Sequence, residues 1–397
     1  MIDLTERVKS IEYAIRDVVV HAKKLEKTGK KIIYLNIGDP CKYDFDTPQH
    51  IKEAYCEAIK RGYNWYSDSK GLLELREAIV EKEKRLNNVN IDPENIIITS
   101  GISEAILMFT AAVIDKGDEV LVPGPTYPPY IAYTKFFRGK PVSYKCDEEN
   151  GWQPDIEDIR NKISDKTKIL VVINPNNPTG ALYDEKTIKE ILNVAAEHEL
   201  IVVSDEIYDQ IVYEKRHVNT ARVAGDIPVV VFNGFSKVYL ATGWRLGYMY
   251  FYDPEGKLEH LREGVEKQAR IRLSVNTPAQ VAAITALKGP QDHIREMVEK
   301  LRKRRDYTWK RLNEIDGINC VKPEAAFYAF PKINLGNKWK DDKEFVLGLL
   351  KSKGVLVVFG SGFDPVYGKD HFRMVFLPPL EILEEAFNKL EDYISGK

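Results

Sequence analysis

The chain has 397 residues, of which 44% are hydrophobic and 30% charged, a composition typical of a soluble globular protein with two or three domains. Its formal net charge of −2 gives no electrostatic basis for binding nucleic acid or an anionic membrane surface. The four cysteines form no C-x-x-C pair and no apolar run reaches the roughly 18–20 residues of a membrane span, so the sequence predicts a cytoplasmic protein with neither membrane nor nucleic-acid partners.

The N-terminal region is charged throughout, which is unlike a secretory signal peptide. Apolar residues at helical spacing predict an amphipathic helix over residues 10–26. Residues 32–37 are apolar and predict an extended segment, which ends in a turn at Gly38-Asp39-Pro40.

From about Pro48 onward, helical patterns alternate with short apolar runs that predict strands. A helix is expected to begin at Gly101-Ile102-Ser103 and to run through Ile114. Most of the strand-like runs lack period-two alternation, which is typical of strands buried on both faces. They predict a mostly parallel sheet between helices, with ligands bound beyond the carboxyl ends of its strands. The predicted strands are residues 96–99, 119–122, 142–145, 169–173, 200–203, 229–232 and 247–251.

The pattern changes after about Gly289. A long charged helix is predicted over residues 292–315, followed by three strand-like segments and a final helix from about Leu380; the segments are residues 326–330, 355–359 and 371–375. This order predicts a smaller α+β domain, against which the N-terminal helix packs. We therefore expect a large domain over residues 48–290 and a small domain made of residues 1–47 and 291–397.

Polar clusters follow several of the predicted strands. The strings NPNNPTG at 174–180 and SDEIY at 204–208 each follow a strand, as does GFSK at 234–237, while TGWRLG at 242–247 leads into the next strand. Read singly, each cluster has an ordinary alternative: a turn, a helix N-cap at Asp205, or a solvated surface position for Lys237 and Arg245. Their shared position at one edge of the sheet favours a functional interpretation.

Together these residue types support one chemistry. A lysine such as Lys237 forms a Schiff base with an aldehyde cofactor. A buried carboxylate such as Asp205 keeps a pyridine nitrogen protonated, so that the ring can accept electrons. A phosphate is held by a cation, a hydroxyl and the N–H groups of a helix start, which Arg245, Ser236 and residues 101–103 would supply.

The sequence resembles the class I aminotransferases of pyridoxal-phosphate fold type I over nearly its whole length. The strings NPNNPTG, SDEIYD, SKVYLATGWRLGY and HFRMV match that family in kind, order and spacing. The resemblance implies an α/β fold with a large, mostly parallel sheet between helices and a smaller α+β domain. It also implies pyridoxal 5′-phosphate as cofactor, amino acids and 2-oxo acids as substrates, and Lys237 as the lysine that holds the cofactor as a Schiff base.

The resemblance assigns the cofactor contacts residue by residue. Asp205 matches the carboxylate that pairs with the pyridinium nitrogen, and Tyr208 and Asn177 match the groups that hydrogen-bond the ring's 3-hydroxyl oxygen. Lys237, Asp205 and Tyr208 are the expected catalytic residues. Tyr127 matches the aromatic residue that stacks on the ring. The residues that match the phosphate site are Gly101, Ile102, Ser103, Ser236 and Arg245.

The resemblance also assigns substrate and subunit contacts. Arg373 matches the arginine that takes the substrate α-carboxylate as a bidentate fork, and Gly38 matches a glycine whose backbone lies close to that carboxylate. Asn177 is expected to contact substrate as well. Tyr66 matches a tyrosine that reaches the cofactor phosphate of the neighbouring subunit, which implies a homodimer with two shared active sites. Freed Lys237 is then expected to move the substrate Cα proton as general base and acid.

Several segments resemble the alanine, or glutamate–pyruvate, subgroup of the family, among them NPNNPTGALY and DHFRMVFLP. This implies transfer between L-alanine/pyruvate and glutamate/2-oxoglutarate. The N-terminal segment of that subgroup folds over the active site, so Tyr13 and Arg16 become candidate substrate contacts, with Arg16 facing the distal carboxylate of glutamate. Solvent-facing helix positions are the alternative for both residues.

Other functions compete with this interpretation. An aromatic or branched-chain aminotransferase or a pyridoxal-phosphate β-lyase would share the same cofactor residues. A pyridoxal-phosphate-binding regulator would need a DNA-binding segment, and no basic helix-turn-helix pattern precedes the predicted large domain. A nicotinamide dehydrogenase would need a G-x-G-x-x-G turn, which the sequence lacks. The seven histidines show no metal-binding spacing, so no metal is expected.

Overall fold

The structure is a computed structural model that describes residues 3–396, in which helices alternate with mostly short strands. The α-helices are α1 (Glu6–Lys9), α2 (Ala14–Glu26), α3 (Gln49–Lys60), α4 (Leu73–Asn87), α5 (Ile102–Val113), α6 (Pro128–Phe136), α7 (Ile156–Lys162), α8 (Glu185–Glu197), α9 (Glu259–Arg272), α10 (Thr277–Lys288), α11 (Asp292–Glu314), α12 (Asp342–Lys353) and α13 (Leu380–Ser395). The strands are β1 (Ile33–Tyr34), β2 (Ile96–Thr99), β3 (Glu119–Gly124), β4 (Lys140–Asp147), β5 (Gln153–Pro154), β6 (Thr167–Ile173), β7 (Ile201–Asp205), β8 (Val229–Gly234), β9 (Gly247–Tyr252), β10 (Ile318–Asn319), β11 (Tyr328–Ala329), β12 (Lys332–Ile333), β13 (Val355–Leu356), β14 (Val358–Phe359) and β15 (Phe372–Val375).

The largest sheet has eight strands in the order β2-β9-β8-β7-β6-β3-β4-β5. Neighbouring strands from β8 to β4 are parallel, whereas β9 runs antiparallel to β2 and β8, and β5 runs antiparallel to β4. Alternate residues of one strand enter different cores: Leu170 and Val172 pack on one face, and Val171 and Ile173 on the other. Both faces are therefore buried, which explains the absence of alternation and confirms the prediction of a mostly parallel sheet between helices.

The carboxyl ends of the parallel strands meet at one edge of this sheet, because the strands run in the same direction. β6 ends beside β7, with Ile173 opposite Asp205, and β7 pairs with β8, with Asp205 opposite Phe232. The loops that follow these strands therefore emerge side by side. This arrangement brings residues 174–180, 206–208 and 235–237 to a common edge.

The remaining strands form three small sheets. β1 pairs in parallel with β13, β15 lies between β11 and β14 with antiparallel pairing, and β10 pairs antiparallel with β12. Helix α2 packs against α12, β13 and β14, so the N-terminal helix contacts the C-terminal part of the chain. The domain boundaries at 47/48 and 290/291 stay a prediction. Within residues 3–396, no helix combines the length and apolarity that crossing a membrane requires.

Three segments differ from the prediction. The N-terminal helix begins at Ala14 and not at Ser10, because the backbone of Tyr13 is not helical (φ −142°, ψ 77°) and separates α2 from the single turn of α1. The predicted strand at 355–359 is divided into β13 and β14, since its first half pairs with β1 and its second with β15. The segment 326–330 contributes only β11, and Ala326 before it has φ +54°.

Candidate active site

A cavity of about 480 Å³ lies at the carboxyl edge of the large sheet. It is bounded by the loops after β6, β7 and β8, by the start of α5 and by β15. Most of the residues predicted from the sequence line it, although they come from distant parts of the chain. Those residues are Tyr13, Arg16, Gly38, Ile102, Ser103, Tyr127, Asn177, Asp205, Tyr208, Ser236, Lys237, Arg245 and Arg373.

Lys237 lies in the loop after β8, half-buried at the cavity wall. Its Nζ donates a hydrogen bond to the backbone oxygen of Gly38 at 2.6 Å. Burial lowers the pKa of Lys237 to about 8; the nearby charge of Asp39 opposes this shift, and the positive charges of Arg245 and Arg373 add to it. A lysine with a pKa this low has a substantial neutral fraction near physiological pH, which is the form that attacks a carbonyl.

Asp205 ends β7 and is only 3% exposed. Its Oδ2 accepts a hydrogen bond from the hydroxyl of Tyr130 at 2.9 Å, and its Oδ1 accepts one from the backbone N–H of Ile207 at 3.3 Å. Burial raises the pKa of Asp205 to about 6, against the hydrogen bonds and the charge of Lys237, which lower it. Within residues 3–396 no cation lies within ion-pair distance of this carboxylate, so it fits a cationic ring nitrogen in the cavity.

The start of α5 and Arg245 form a site for an anion. Ile102 and Ser103 are the first residues of the helix, where backbone N–H groups have no intrahelical acceptor. Arg245 has φ +54°, and its side chain packs so closely on Gly101 that a Cβ there would lie 2.5 Å from Nη2. Its Nη1 donates to the backbone oxygen of Thr242 at 3.0 Å, and it forms no ion pair among residues 3–396. Ser236, 9% exposed, adds a hydroxyl to the same wall.

Arg373, on β15, is 1% exposed and lies between two aromatic rings. Its guanidinium carbon is 4.7 Å from the ring centre of Tyr328 and 4.8 Å from that of Phe363. Its Nη1 donates to Oδ1 of Asn177 at 3.0 Å, and its Nη2 donates to the backbone oxygen of Asn36. No described side chain forms an ion pair with it and its Nε has no hydrogen-bond partner among residues 3–396, which suits a carboxylate ligand.

Tyr328 is a cavity residue that the sequence did not reveal. Its hydroxyl lies 2.8 Å from that of Tyr208, and a Cβ on Gly38 would lie 2.1 Å from the Tyr328 oxygen. Residue 38 therefore has to be glycine while Tyr328 occupies this place. Tyr328 lies within a predicted strand and next to no polar cluster, so only its three-dimensional neighbours indicate a role.

Tyr13 and Arg16 both lie at the cavity, at the N-terminal end of α2. Tyr13 is half-buried and faces Tyr127. Burial of Tyr127 is the main cause that raises its pKa well above the ordinary value, and the neighbouring Tyr13 hydroxyl raises it further. Arg16 is exposed, and although its backbone N–H donates to the backbone oxygen of Tyr13 at 2.9 Å, its guanidinium makes no hydrogen bond or ion pair with residues 3–396. The start of α2 thus places a phenol and an unpaired guanidinium at the cavity mouth.

Two predicted site residues do not line the cavity. Gly101 lies just behind its wall, against the side chain of Arg245, whereas Tyr66 lies elsewhere on the surface. It is 78% exposed and borders a separate surface hollow with Trp65, Asn276 and Thr277. Its contact with the neighbouring subunit's cofactor stays a prediction.

The residues of the cavity fit pyridoxal 5′-phosphate. A lysine of lowered pKa, a buried carboxylate without a cation and an anion site at a helix start surround one space. Among residues 3–396, no group of three or more histidine, cysteine or acidic side chains is placed to hold a metal ion.

Comparison with known proteins gives a consistent result. The family model described as aminotransferase class I and II matches residues 30–390. The chain is 39% identical to the glutamate-pyruvate aminotransferase AlaA of Escherichia coli strain K12, with 100% of this chain and 98% of the relative covered. It is 40% identical to the alanine aminotransferase of Mycobacterium tuberculosis strain H37Rv, with 98% and 91% covered.

Among solved structures, the alanine aminotransferase from Pyrococcus furiosus superposes with a TM-score of 0.97 at 58% identity, covering 100% of both chains. The aspartate aminotransferase from Thermus thermophilus with maleate superposes with a TM-score of 0.89 at 34% identity, covering 98% of this chain and 99% of that one. The predicted fold class, the family resemblance and the cofactor are thereby confirmed. The chain belongs to the class I and II aminotransferases, enzymes of fold type I that use pyridoxal 5′-phosphate.

Proposed function

We propose that this protein transfers amino groups between L-alanine/pyruvate and glutamate/2-oxoglutarate, with pyridoxal 5′-phosphate held on Lys237. The observation that carries the proposal is the meeting of Lys237, Asp205, Arg245 and Arg373 at one cavity, each without a competing ion-pair partner among residues 3–396. The names of the full-length relatives, alanine and glutamate-pyruvate aminotransferases, support the choice of substrates.

Lys237 would act first as the covalent anchor and then as the proton carrier. The bound cofactor supplies an aldehyde that condenses with amines and a ring that takes up electrons. Once free, the amine of Lys237 would lie in the cavity, where burial lowers its pKa and so leaves part of it uncharged. The uncharged amine would accept the substrate Cα proton and return it to a neighbouring carbon. The Gly38 carbonyl, which accepts its hydrogen bond, would hold that amine in place.

Asp205, Tyr208 and Asn177 would set the charge on the ring. Asp205 would face the ring nitrogen as the only buried carboxylate on the described cavity wall, because Asp39, the other acidic residue there, is partly exposed. Oδ1 of Asn177 already accepts from Arg373, so its NH2 group is left to donate to the ring's 3-oxygen. The Tyr208 hydroxyl would donate to the same oxygen. Tyr127 would stack on the ring face.

The anion site would hold the cofactor phosphate. Arg245 supplies the charge, Ser236 and Ser103 supply hydroxyl groups, and the first N–H groups of α5 point into the same space. The close approach of Arg245 to Gly101 keeps the cation against the helix start.

Arg373 would bind the substrate α-carboxylate with its two forked N–H groups, beside the backbone of Gly38. Tyr13 would cover the side chain of the substrate. Arg16, unpaired at the cavity mouth, would bind the distal carboxylate of glutamate. A small apolar side chain such as that of alanine would leave Arg16 in solvent, which allows one cavity to take both substrates.

Tyr66 would act in a homodimer, reaching the phosphate of the partner subunit's cofactor. Its 78% exposure and the exposed Trp65 beside it are consistent with a surface that a second copy covers. The two active sites would then be shared between the subunits.

The proposal is tested by mixing the cofactor-loaded protein with L-alanine in the absence of any 2-oxo acid. We expect one equivalent of pyruvate per chain and complete conversion of the cofactor's absorbance to that of its amine form, reversed by 2-oxoglutarate. Conversion only by an aromatic or branched-chain donor would replace the substrate assignment, and continuous release of ammonia would indicate a β-lyase. No conversion by any amino acid would contradict an enzymatic function.

A further inference from the structure

The carboxylate of Asp205 is held by a side chain from an element outside the loops described above. Tyr130 belongs to the first turn of α6, which follows β3, and it is 4% exposed. Its hydroxyl donates to Oδ2 of Asp205 at 2.9 Å across 75 positions of sequence. Its ring packs in the core on the opposite face of the sheet from Tyr208. The ring position is therefore fixed by packing, and the hydroxyl is fixed by the ring.

The environment leaves few other groups to stabilise a charge on Asp205. Among residues 3–396, the hydrogen-bond donors to its carboxylate are Tyr130 and the backbone N–H of Ile207, the latter at the longer distance of 3.3 Å. The titratable groups that face it are Lys237 on one side and the phenols of Tyr127, Tyr208 and Tyr328 on the others. Of these three phenols, none donates a hydrogen bond to the carboxylate.

Toward the ionised carboxylate, the Tyr130 hydroxyl acts as a donor. Burial raises the pKa of the Tyr130 phenol well above its ordinary value, and the neighbouring charge of Asp205 raises it further. The phenol therefore keeps its proton over the whole working range. The other oxygen of Asp205 faces the backbone of Ile207 at the cavity, so the two donors together define the plane of the carboxylate.

We propose that Tyr130 is a positioning residue that keeps Asp205 ionised and turned toward the ring nitrogen of the bound cofactor. The inference rests on the proposed role of Asp205. A donated hydrogen bond stabilises the carboxylate form of a buried acid. Without it, Asp205 would bind a proton more tightly and would stabilise a protonated ring nitrogen less. Tyr130 would thus set how strongly the ring nitrogen is protonated, although it does not touch the cofactor.

Tyr130→Phe removes the hydroxyl and keeps the ring. Tyr144→Phe is the matched control, because Tyr144 is also buried in this part of the sheet and donates a single hydrogen bond, at 2.8 Å, to the neutral backbone oxygen of Val171. Both variants lose one buried hydroxyl, and only one of them loses a bond to a carboxylate. Both are compared with Asp205→Asn and with the double variant.

The measurements are the dissociation constant of pyridoxal 5′-phosphate from the holoenzyme and the nitrogen-15 shift of ring-labelled cofactor. Tyr130→Phe should weaken cofactor binding by about tenfold, as expected for a hydrogen bond to a charged group, and should move the shift toward that of an unprotonated ring. Tyr144→Phe should change neither quantity appreciably. In the Asp205→Asn background, Tyr130→Phe should have little further effect.

Two failures can be told apart. If Asp205→Asn weakens binding and Tyr130→Phe behaves like Tyr144→Phe, the role of Tyr130 is overturned and that of Asp205 stands. If Asp205→Asn itself binds and protonates the cofactor as the wild type does, the proposed role of Asp205 fails and the inference about Tyr130 fails with it.

Discussion

Lys237 and Asp205 share the cavity, and burial pushes both toward their neutral forms. Burial lowers the pKa of Lys237 to about 8 and raises the pKa of Asp205 to about 6. Neither side chain has an opposite charge within ion-pair distance among residues 3–396. In the protein without cofactor, the free energy cost of burying each charged group is therefore not offset by an ion pair. On the proposed roles, bound cofactor would remove both costs, because it would bind the amine of Lys237 covalently and place a cationic ring nitrogen beside Asp205.

The pKa of Lys237 predicts a pH-dependent stability in the cofactor-free protein. In the unfolded chain this lysine keeps its proton up to about pH 10.4, whereas in the folded chain it loses the proton near pH 8. The wild type should therefore gain stability between about pH 8 and pH 10.4, and Lys237→Met should not. At pH 7, Lys237→Met should have a larger free energy of unfolding than the wild type. This difference should decrease by on the order of 2 kcal/mol between about pH 8 and pH 10.4, after allowance for partial exposure.

Denaturant unfolding of both proteins at several pH values measures this difference. Other groups titrate in both proteins and cancel when the two are subtracted. A difference that stays constant from about pH 7 to pH 10.4 would mean that the amine of Lys237 is solvated and that burial does not activate it.

Arg373→Ala should impair substrate binding and spare the cofactor. The guanidinium would otherwise make two charge-assisted hydrogen bonds to the α-carboxylate, so kcat/KM for alanine should fall by at least about a hundredfold. Arg305→Ala is the control, because Arg305 is also 1% exposed but pairs with Glu214 away from the cavity. Release of cofactor by Arg373→Ala, measured from its absorbance, would be inconsistent with the assigned role.

At the residue scale, the sequence identifies the charged residues of the site more readily than it identifies Tyr130 and Tyr328. Lys237, Asp205 and Arg245 stand out because charged side chains next to buried strands require a reason. Tyr130 and Tyr328 are buried aromatic residues of a kind common in hydrophobic cores, and their hydroxyl partners lie 75 and 120 positions away along the chain. No local pattern identifies those contacts.

At the scale of elements, the start of β9 is packed directly on the start of α5. A Cβ on Gly247 would lie 3.0 Å from backbone atoms of Gly101 and 3.1 Å from the backbone oxygen of Asn233. These neighbours are backbone atoms on different elements, so they cannot yield as a flexible side chain does. The anion site at Gly101 therefore depends on a glycine one strand away.

Gly247→Ala should destabilise the protein by about 1–3 kcal/mol, as added volume does in a close-packed interior, and should weaken cofactor binding because Gly101 is displaced. Gly264→Ala is the control: Gly264 lies within α9, where a Cβ would meet no atom within 4 Å, and alanine there should stabilise by about 0.5–1 kcal/mol. Thermal unfolding of the two variants measures the change in stability, and cofactor titration measures the change in cofactor affinity. Equal effects would show that β9 and α5 are not tightly coupled.

The buried strands of the large sheet were predicted to within a few residues, because a short apolar run between turn residues is typical of a buried strand. The small sheets were predicted less well. β13 and β14 pair with different partners, and α2 begins only after Tyr13, whose backbone is not helical. Pairing partners and cavity contacts are tertiary features that short segments do not encode.

At the scale of the whole molecule, the proposed homodimer with shared active sites predicts complementation between defective variants. On the proposed roles, Lys237→Ala would lack the covalent anchor, and Tyr66→Ala would lack its contribution to the partner's site. A hybrid dimer of the two would contain one complete site, made of Lys237 from one subunit and Tyr66 from the other. Random mixing should therefore restore about a quarter of the wild-type activity at limiting cofactor, since half of the dimers would each carry one complete site of two.

The activity of the mixture is compared with that of each variant alone after partial unfolding and refolding together. Mixing Lys237→Ala with Arg373→Ala gives the control, because both residues would belong to the same subunit's site and no hybrid would contain a complete one. Recovery in the control, or no recovery with Tyr66→Ala, would argue against shared sites.

The central claim is that Lys237 carries the cofactor, and trapping of that bond tests it most directly. Treatment of the holoprotein with sodium borohydride makes the bond between cofactor and lysine permanent, and peptide mass spectrometry then locates it. We expect a single modified peptide with the added mass on Lys237 and none after prior treatment with excess L-alanine. Modification of another cavity lysine such as Lys42, or no modification at all, would contradict the account.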